Sequence, residues 1–215
     1  NSPTGNCFPH DALERLARQM DAVFVVDEAY ADFAGQSIIP RVRATPDLFV
    51  MRSFSKIGFA GLRVGALIGN RDAIAELDKV RMPFNVNAVS LAFATSLLAD
   101  PERMNARVSA IVRLRCALES ELGMLEGVDI LPSQANFVLI RTPYAAHLVF
   151  DRLLARGILV RVFDHAPRLA RCLRITAGTL DENARCVRAL HEVLAALGED
   201  STRTVHGSLA GSPPP

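Results

Sequence analysis

The sequence predicts an α/β fold in which a first domain with a mostly parallel sheet is followed by a smaller α+β domain. Three observations predict it. Short apolar runs, Val23-Phe24-Val25-Val26 and Leu48-Phe49-Val50-Met51, alternate with amphipathic stretches in the first half of the chain, and buried parallel strands read as such unbroken runs. Asp100-Pro101 then interrupts the pattern, because the residue before a proline is turned away from helical geometry. Beyond it, a long helical stretch leads into strands and helices that do not continue the first alternation, the pattern of a compact second domain. The 215 residues, half of them apolar, suffice for one large or two small cores. A formal net charge of +1 gives no electrostatic reason to expect nucleic acid or an anionic membrane. No apolar run is long enough to span a bilayer, and no signal peptide is visible. Cys7, Cys116, Cys172 and Cys186 are scattered without metal-ligand pairing and read as thiols in a reducing cytosol.

Asn1 to Gly5 form a turn punctuated by proline and glycine. Pro9-His10-Asp11 opens a helix with Leu13, Leu16, Ala17 and Met20 on one face. The strand Val23–Val26 follows and ends in Asp27-Glu28-Ala29-Tyr30. A carboxylate at the carboxyl end of a buried strand is where open α/β sheets bind ligands; taken alone, Asp27 is equally a cap or turn residue. Gln36 to Pro46 is a loop or short helix. The strand Leu48–Met51 delivers Ser53-Phe54-Ser55-Lys56, and the glycine-rich run from Gly58 to Gly65 leads into a strand from Val64 to Ile68. Two hydroxyls before the lysine and Arg63 after it form a phosphate grip, bidentate at the arginine. A lysine among apolar residues and near another cation loses proton affinity, so its amine becomes a nucleophile for carbonyls. A lone lysine at a strand end is ordinarily just solvated, but amine, phosphate grip and Asp27 together meet the needs of a pyridoxal-phosphate site.

A helix from Arg71 to Val80 is broken at Met82-Pro83, and a second runs from Ala88 to Leu98. From Glu102 to Met124, Val108, Ile111, Val112, Leu114, Leu118 and Leu122 repeat at helical spacing, with the arginines between them as a solvated face. Strands at Val128–Leu131 and Asn136–Ile140, a helix at Pro143–Arg156, strands at Ile158–Val162 and Cys172–Thr176, and a helix at Asp181–Leu197 complete the second half. Arg174, flanked by Leu173 and Ile175, is costly to bury unless an anion meets it, and its planar fork suits a carboxylate. Arg161 reads as a substrate-phosphate ligand or as an exposed strand-end cation. The expected domains are residues 1–101 and 102–198, with 199–215 an unstructured tail ending in Gly-Ser-Pro-Pro-Pro. His10, His147, His165, His191 and His206 have no metal-like spacing, and no metal is expected.

In order along the chain, Asn1-Ser2-Pro3-Thr4-Gly5, Asp27-Glu28-Ala29-Tyr30, Ser53-Phe54-Ser55-Lys56 with Arg63, and Leu173-Arg174-Ile175-Thr176 resemble the motifs of fold-type I pyridoxal-phosphate aminotransferases. Within that superfamily, Lys56 to Gly65, Pro83 to Asn87, Gln134-Ala135-Asn136-Phe137 and Gly157 to Arg161 resemble the histidinol-phosphate aminotransferase family. The resemblance runs from residue 1 to about Gly198 and implies a role for each matching position. Lys56 carries the cofactor on its amine and serves as general base; Asp27 pairs with the pyridine nitrogen; Tyr30 donates to the ring hydroxyl; Ser53, Ser55 and Arg63 hold the phosphate. The family's asparagine before Pro-Thr-Gly also meets that hydroxyl; here Ser2 stands in its place and Asn1 one residue earlier. Arg174 binds an α-carboxylate with the support of Asn136, and Arg161 is a further substrate contact. Asn85 and Asn87 lie in a loop that the resemblance places near a subunit boundary.

The implied activity is pyridoxal-phosphate-dependent transamination of histidinol phosphate with 2-oxoglutarate and glutamate in histidine biosynthesis, by a cytoplasmic homodimer with neither nucleic-acid nor membrane partners. Aromatic aminotransferases and amino-acid-phosphate decarboxylases share nearly every motif. The same domain, fused to a DNA-binding segment, also serves as the sensor of some transcriptional regulators. The sequence starts inside a motif. The phosphate loop, the aromatic that stacks on the pyridine and the tyrosine lent by a second subunit, all expected upstream in this family, are not in it. The chain is therefore expected to be the larger C-terminal part of an enzyme and inactive alone.

Overall fold

The computed structural model describes residues 1–163 and 166–209; His165 lies outside them. Two compact units emerge, one comprising residues 1, 6–112 and 134–136, the other residues 2–5, 113–133 and 137 onward. The sequence places a boundary at 101–102. In the structure Asp100-Pro101 starts a helix: Asp100 Oδ1 accepts from the Arg103 amide at 3.0 Å, and proline suits the first helical position. That helix, α6 (Pro101–Leu122), runs on unbroken, and the division into units falls within it at 112–113.

The first unit orders its earlier elements as α1 (His10–Gln19), β1 (Phe24–Asp27), α2 (Ala31–Ala34), α3 (Ile39–Val42), β2 (Leu48–Ser53), β3 (Gly65–Ile68), α4 (Arg71–Val80) and α5 (Ala88–Leu98). The sheet order is β1-β2-β3. Strands β1 and β2 pair in parallel through the α2–α3 crossover, whereas β3 pairs antiparallel to β2. The expected mostly parallel sheet is thus one parallel and one antiparallel pair. A parallel neighbour needs a crossover of roughly a dozen residues or more, usually helical, and the link from Phe54 to Val64 holds only two three-residue 3-10 turns. Leu48 and Val50 of the central strand are fully buried and pack with Ile38, Val42 and Ala17. The apolar face of α1 is only partly covered: Ala17 is buried, but Leu16 and Met20 are nearly half exposed. Asn70 and Asn87 cap α4 and α5, each side chain accepting a main-chain amide of the first turn.

In the second unit β4 (Asp129–Leu131), β5 (Phe137–Arg141) and β6 (Cys172–Thr176) form an antiparallel sheet with β5 central. Against it pack α7 (Ala146–Leu154), α8 (Leu180–Leu209) and the end of α6; Leu118, Ile140, Val149, Leu153, Leu173 and Leu190 belong to one core cluster. Two expectations are corrected. The strand anticipated at Ile158–Val162 is a single bridge, Arg161 with Arg174, because the Ile158 amide turns back to the Leu153 carbonyl at the end of α7. The helix expected to close at Leu197 continues to Leu209, into the segment assigned to an unstructured tail. An established helix extends at one hydrogen bond per added residue. The arginines of α6 are not all solvated either: Arg115 is buried, and its guanidinium donates to the Ser133 carbonyl.

Candidate functional site

The site of the first unit is built by strand register. Asp27 ends β1 opposite Met51, two residues before Ser53 ends β2, so both strands release polar residues at the same, carboxyl edge of the sheet. Ser53 in turn pairs with Gly65, so the link that carries Lys56 and Arg63 leaves and rejoins the sheet at this same edge. Gly65 is required there, since a Cβ on it would stand 2.8 Å from the Arg52 carbonyl oxygen. Between the two strand ends, Lys56 occupies a 3-10 turn, Ser55–Ile57. Arg63 follows the second turn with a left-handed φ of 55°, an uncommon conformation for a side chain other than glycine.

Polar partners divide these residues into committed and open groups. Asp27 Oδ1 accepts from the Ala29 amide at 2.9 Å, and Ser53 Oγ accepts from the Ser55 amide at 3.1 Å; both are turn contacts that leave a further lone pair for a ligand. Lys56 Nζ lies 5.3 Å from the centre of the Tyr30 ring, a cation–π distance. Neither Lys56 nor Arg63 forms an ion pair with a carboxylate among the described residues. The nearby Arg52, by contrast, is committed to Glu28 at 3.0 Å and Asp32 at 2.6 Å. Glu28 is buried and also accepts from Ser37 Oγ and the Ile38 amide. The sequence signal for this Glu28–Arg52–Asp32 network is a second carboxylate at a strand end with an arginine on the adjacent strand.

Asn136, expected to support Arg174, donates through Nδ2 to the Lys56 carbonyl at 3.3 Å. It belongs to the first unit together with Gln134, whose Oε1 accepts from the Cys7 amide.

In the second unit Arg174 stands on β6 with its guanidinium over Phe137 at 4.9 Å and Phe163 at 5.9 Å. Nη1 donates to Ser2 Oγ at 2.7 Å, so Ser2 is engaged with this arginine. Arg174 Nε is buried and has no hydrogen-bond partner among the described residues, an arrangement that favours an incoming anion. The backbone of Arg161 exchanges two hydrogen bonds with that of Arg174, at 3.1 and 2.9 Å, and its side chain is exposed. No group of three His, Cys, Asp or Glu side chains suited to a metal occurs among the described residues.

An amine, a second cation, two hydroxyls and a carboxylate at one sheet edge fit the aldehyde, phosphate and ring nitrogen of pyridoxal phosphate. Against known proteins, the family described as aminotransferase class I and II matches residues 1–190. The chain belongs to that family. This aminotransferase-family chain is 39% identical over 198 residues to the histidinol-phosphate aminotransferase of Aquifex aeolicus, an alignment covering 92% of the chain and 56% of the relative. The fold superposes with a TM-score of 0.83 on a histidinol-phosphate aminotransferase from Sinorhizobium meliloti in complex with pyridoxal-5'-phosphate, at 29% identity over 91% of this chain and 55% of that one. An L-threonine-O-3-phosphate decarboxylase from Porphyromonas gingivalis is also similar, with a TM-score of 0.79 and 25% identity over 91% of this chain and 62% of the other. The chain spans about half the length of the curated relatives it matches.

Proposed function

We propose that this chain supplies the lysine-bearing part of a pyridoxal-phosphate-dependent aminotransferase that acts on histidinol phosphate with 2-oxoglutarate and glutamate, in histidine biosynthesis. The observation that carries the reading is the placement of Asp27, Ser53, Lys56 and Arg63 at one sheet edge, with neither cation in an ion pair among the described residues. Pyridoxal phosphate, when bound, supplies an electron sink for negative charge at a substrate's α-carbon. Lys56 Nζ would hold the cofactor through its amine and would move the substrate's α-proton as general base and acid. Asp27 keeps the ring nitrogen protonated by charge pairing. Ser53, Ser55 and Arg63 grip the phosphate, and Tyr30 and Asn1 serve the ring hydroxyl.

Arg174 takes the α-carboxylate of glutamate with a bidentate fork, oriented by Ser2 and by the two phenylalanine rings beneath it. Arg161 meets the substrate phosphate, and Asn136 acts by holding the Lys56 carbonyl. The working form is a cytoplasmic homodimer with Asn85 and Asn87 near the subunit boundary, acting on small molecules and on neither nucleic acid nor membrane. No helix among the described residues is long and apolar enough to cross a membrane.

The test is borohydride reduction after addition of pyridoxal phosphate, followed by peptide mapping. Modification of Lys56 and its complete loss in Lys56→Ala are expected; equal labelling of the variant overturns the lysine assignment. The likeness to a phosphothreonine decarboxylase favours one competing reading, amino-acid-phosphate decarboxylation. Carbon dioxide release without glutamate formation would select it over transamination.

A further inference from the structure

We infer that Arg107 is a positioning residue for Lys56 and Arg63, acting through the ring of Phe59; the inference deepens the proposed cofactor site. The loop between β2 and β3 consists of two 3-10 turns, Ser55–Ile57 and Ala60–Leu62, joined by Gly58 and Phe59. Short 3-10 turns have poor hydrogen-bond geometry and hold weakly on their own. Phe59 is the hinge of this pair. Its amide closes the first turn on the Phe54 carbonyl at 3.2 Å, and its carbonyl opens the second by accepting from Leu62 at 3.1 Å. Whatever fixes Phe59 therefore fixes Lys56 on one side and Arg63 on the other.

Two helices fix it. From α6, the Arg107 guanidinium stacks 4.7 Å from the centre of the Phe59 ring; from α5, Phe93 meets the same ring at 6.0 Å and a tilt of 59°. The guanidinium also extends over Gly58, so that a Cβ there would stand 2.6 Å from Arg107 Nη1. With a φ of 99°, Gly58 lies in the region that glycine alone adopts without strain. Arg107 has no carboxylate partner in any ion pair of the described residues, and its guanidinium stays on the Phe59 ring. It touches no atom that reacts; its effect is to hold the link on which the lysine turn and the arginine turn both depend.

The experiment is amide hydrogen exchange of the chain without added cofactor, comparing wild type, Arg107→Ala and Arg107→Lys. In Arg107→Ala the amides of Phe59, Leu62 and Arg63 should exchange about fivefold faster, the loss of one cation–π contact, while β5 of the second unit exchanges unchanged. Lysine can return a cation to the ring face, so Arg107→Lys should recover most of the protection. Borohydride trapping of pyridoxal phosphate on Lys56 should slow by a similar factor in Arg107→Ala and recover with the lysine variant. Unchanged exchange across residues 54–63 in Arg107→Ala overturns the inference, even where the cofactor binds. Faster exchange with no adduct on Lys56 in the wild type overturns the cofactor reading and leaves the mechanical role of Arg107 standing.

Discussion

Glu28 and Asp27 are adjacent carboxylates with opposite fates, and the difference lies in what surrounds each one. Asp27 is exposed at the strand end, with one backbone contact and room for a ligand. Glu28 turns inward and accepts from Ser37, the Ile38 amide and Arg52. Replacing Glu28 by alanine leaves those three donors without their acceptor, so Glu28→Ala should lower stability by about 2 kcal/mol, measured by urea denaturation. It should also loosen Arg52, which would then retain only Asp32. A variant as stable as wild type would mean that water replaces the carboxylate at no cost.

At the scale of elements, α8 shows how a helix start is written in a sequence. Thr179 Oγ1 accepts from the Glu182 amide at 3.3 Å, while Glu182 accepts from the Thr179 amide at 2.8 Å and from its hydroxyl at 2.9 Å. This is a reciprocal capping box. It holds the Glu182 carboxyl below its ordinary range, chiefly through the Thr179 amide. Removing the cap in Thr179→Ala should destabilise the second unit by about 1 kcal/mol, seen as a lower melting temperature; Thr179→Ser, which keeps the hydroxyl, should restore most of it. The strand anticipated at 158–162 shows the converse. Ile158-Leu159-Val160 has the composition of a strand, but a strand requires a partner along its length, and among the described residues only Arg161 makes a bridge.

At the scale of the whole molecule, charge pairing contributes to the response of stability to acid. Glu14 is held below its ordinary value of 4.5, first by Arg18 and then by Arg41. A carboxyl depressed in the fold stabilises it above the unfolded value, and that contribution is lost as pH falls through the folded one. The melting temperature should therefore decline once pH drops below about 4.5, and Glu14→Gln should shallow the decline. At the alkaline end the sign reverses. Burial raises the Cys186 thiol from 9.0 to about 11, so its contribution is present below the unfolded value and is lost as pH climbs between them. Cys186→Ala should flatten that limb; an identical alkaline profile would show that another group controls it.

Several features of this protein were legible in the residues alone because they depend on local order. Apolar runs marked β1 and β2, helical spacing marked α6, and the motif around Lys56 pointed to the family. Tertiary structure decided what depends on contacts between distant residues. It set β3 antiparallel, through a link too short to cross over. It turned Ser2 towards Arg174 and Asn136 towards the Lys56 carbonyl, each across a sequence separation that no spacing rule encodes. It also drew Arg107 and Arg115, alike in a helical repeat, to an aromatic ring and a buried carbonyl. The physical reason is that a side chain's type states which interactions it can make, and only the packed chain determines which partner comes within reach.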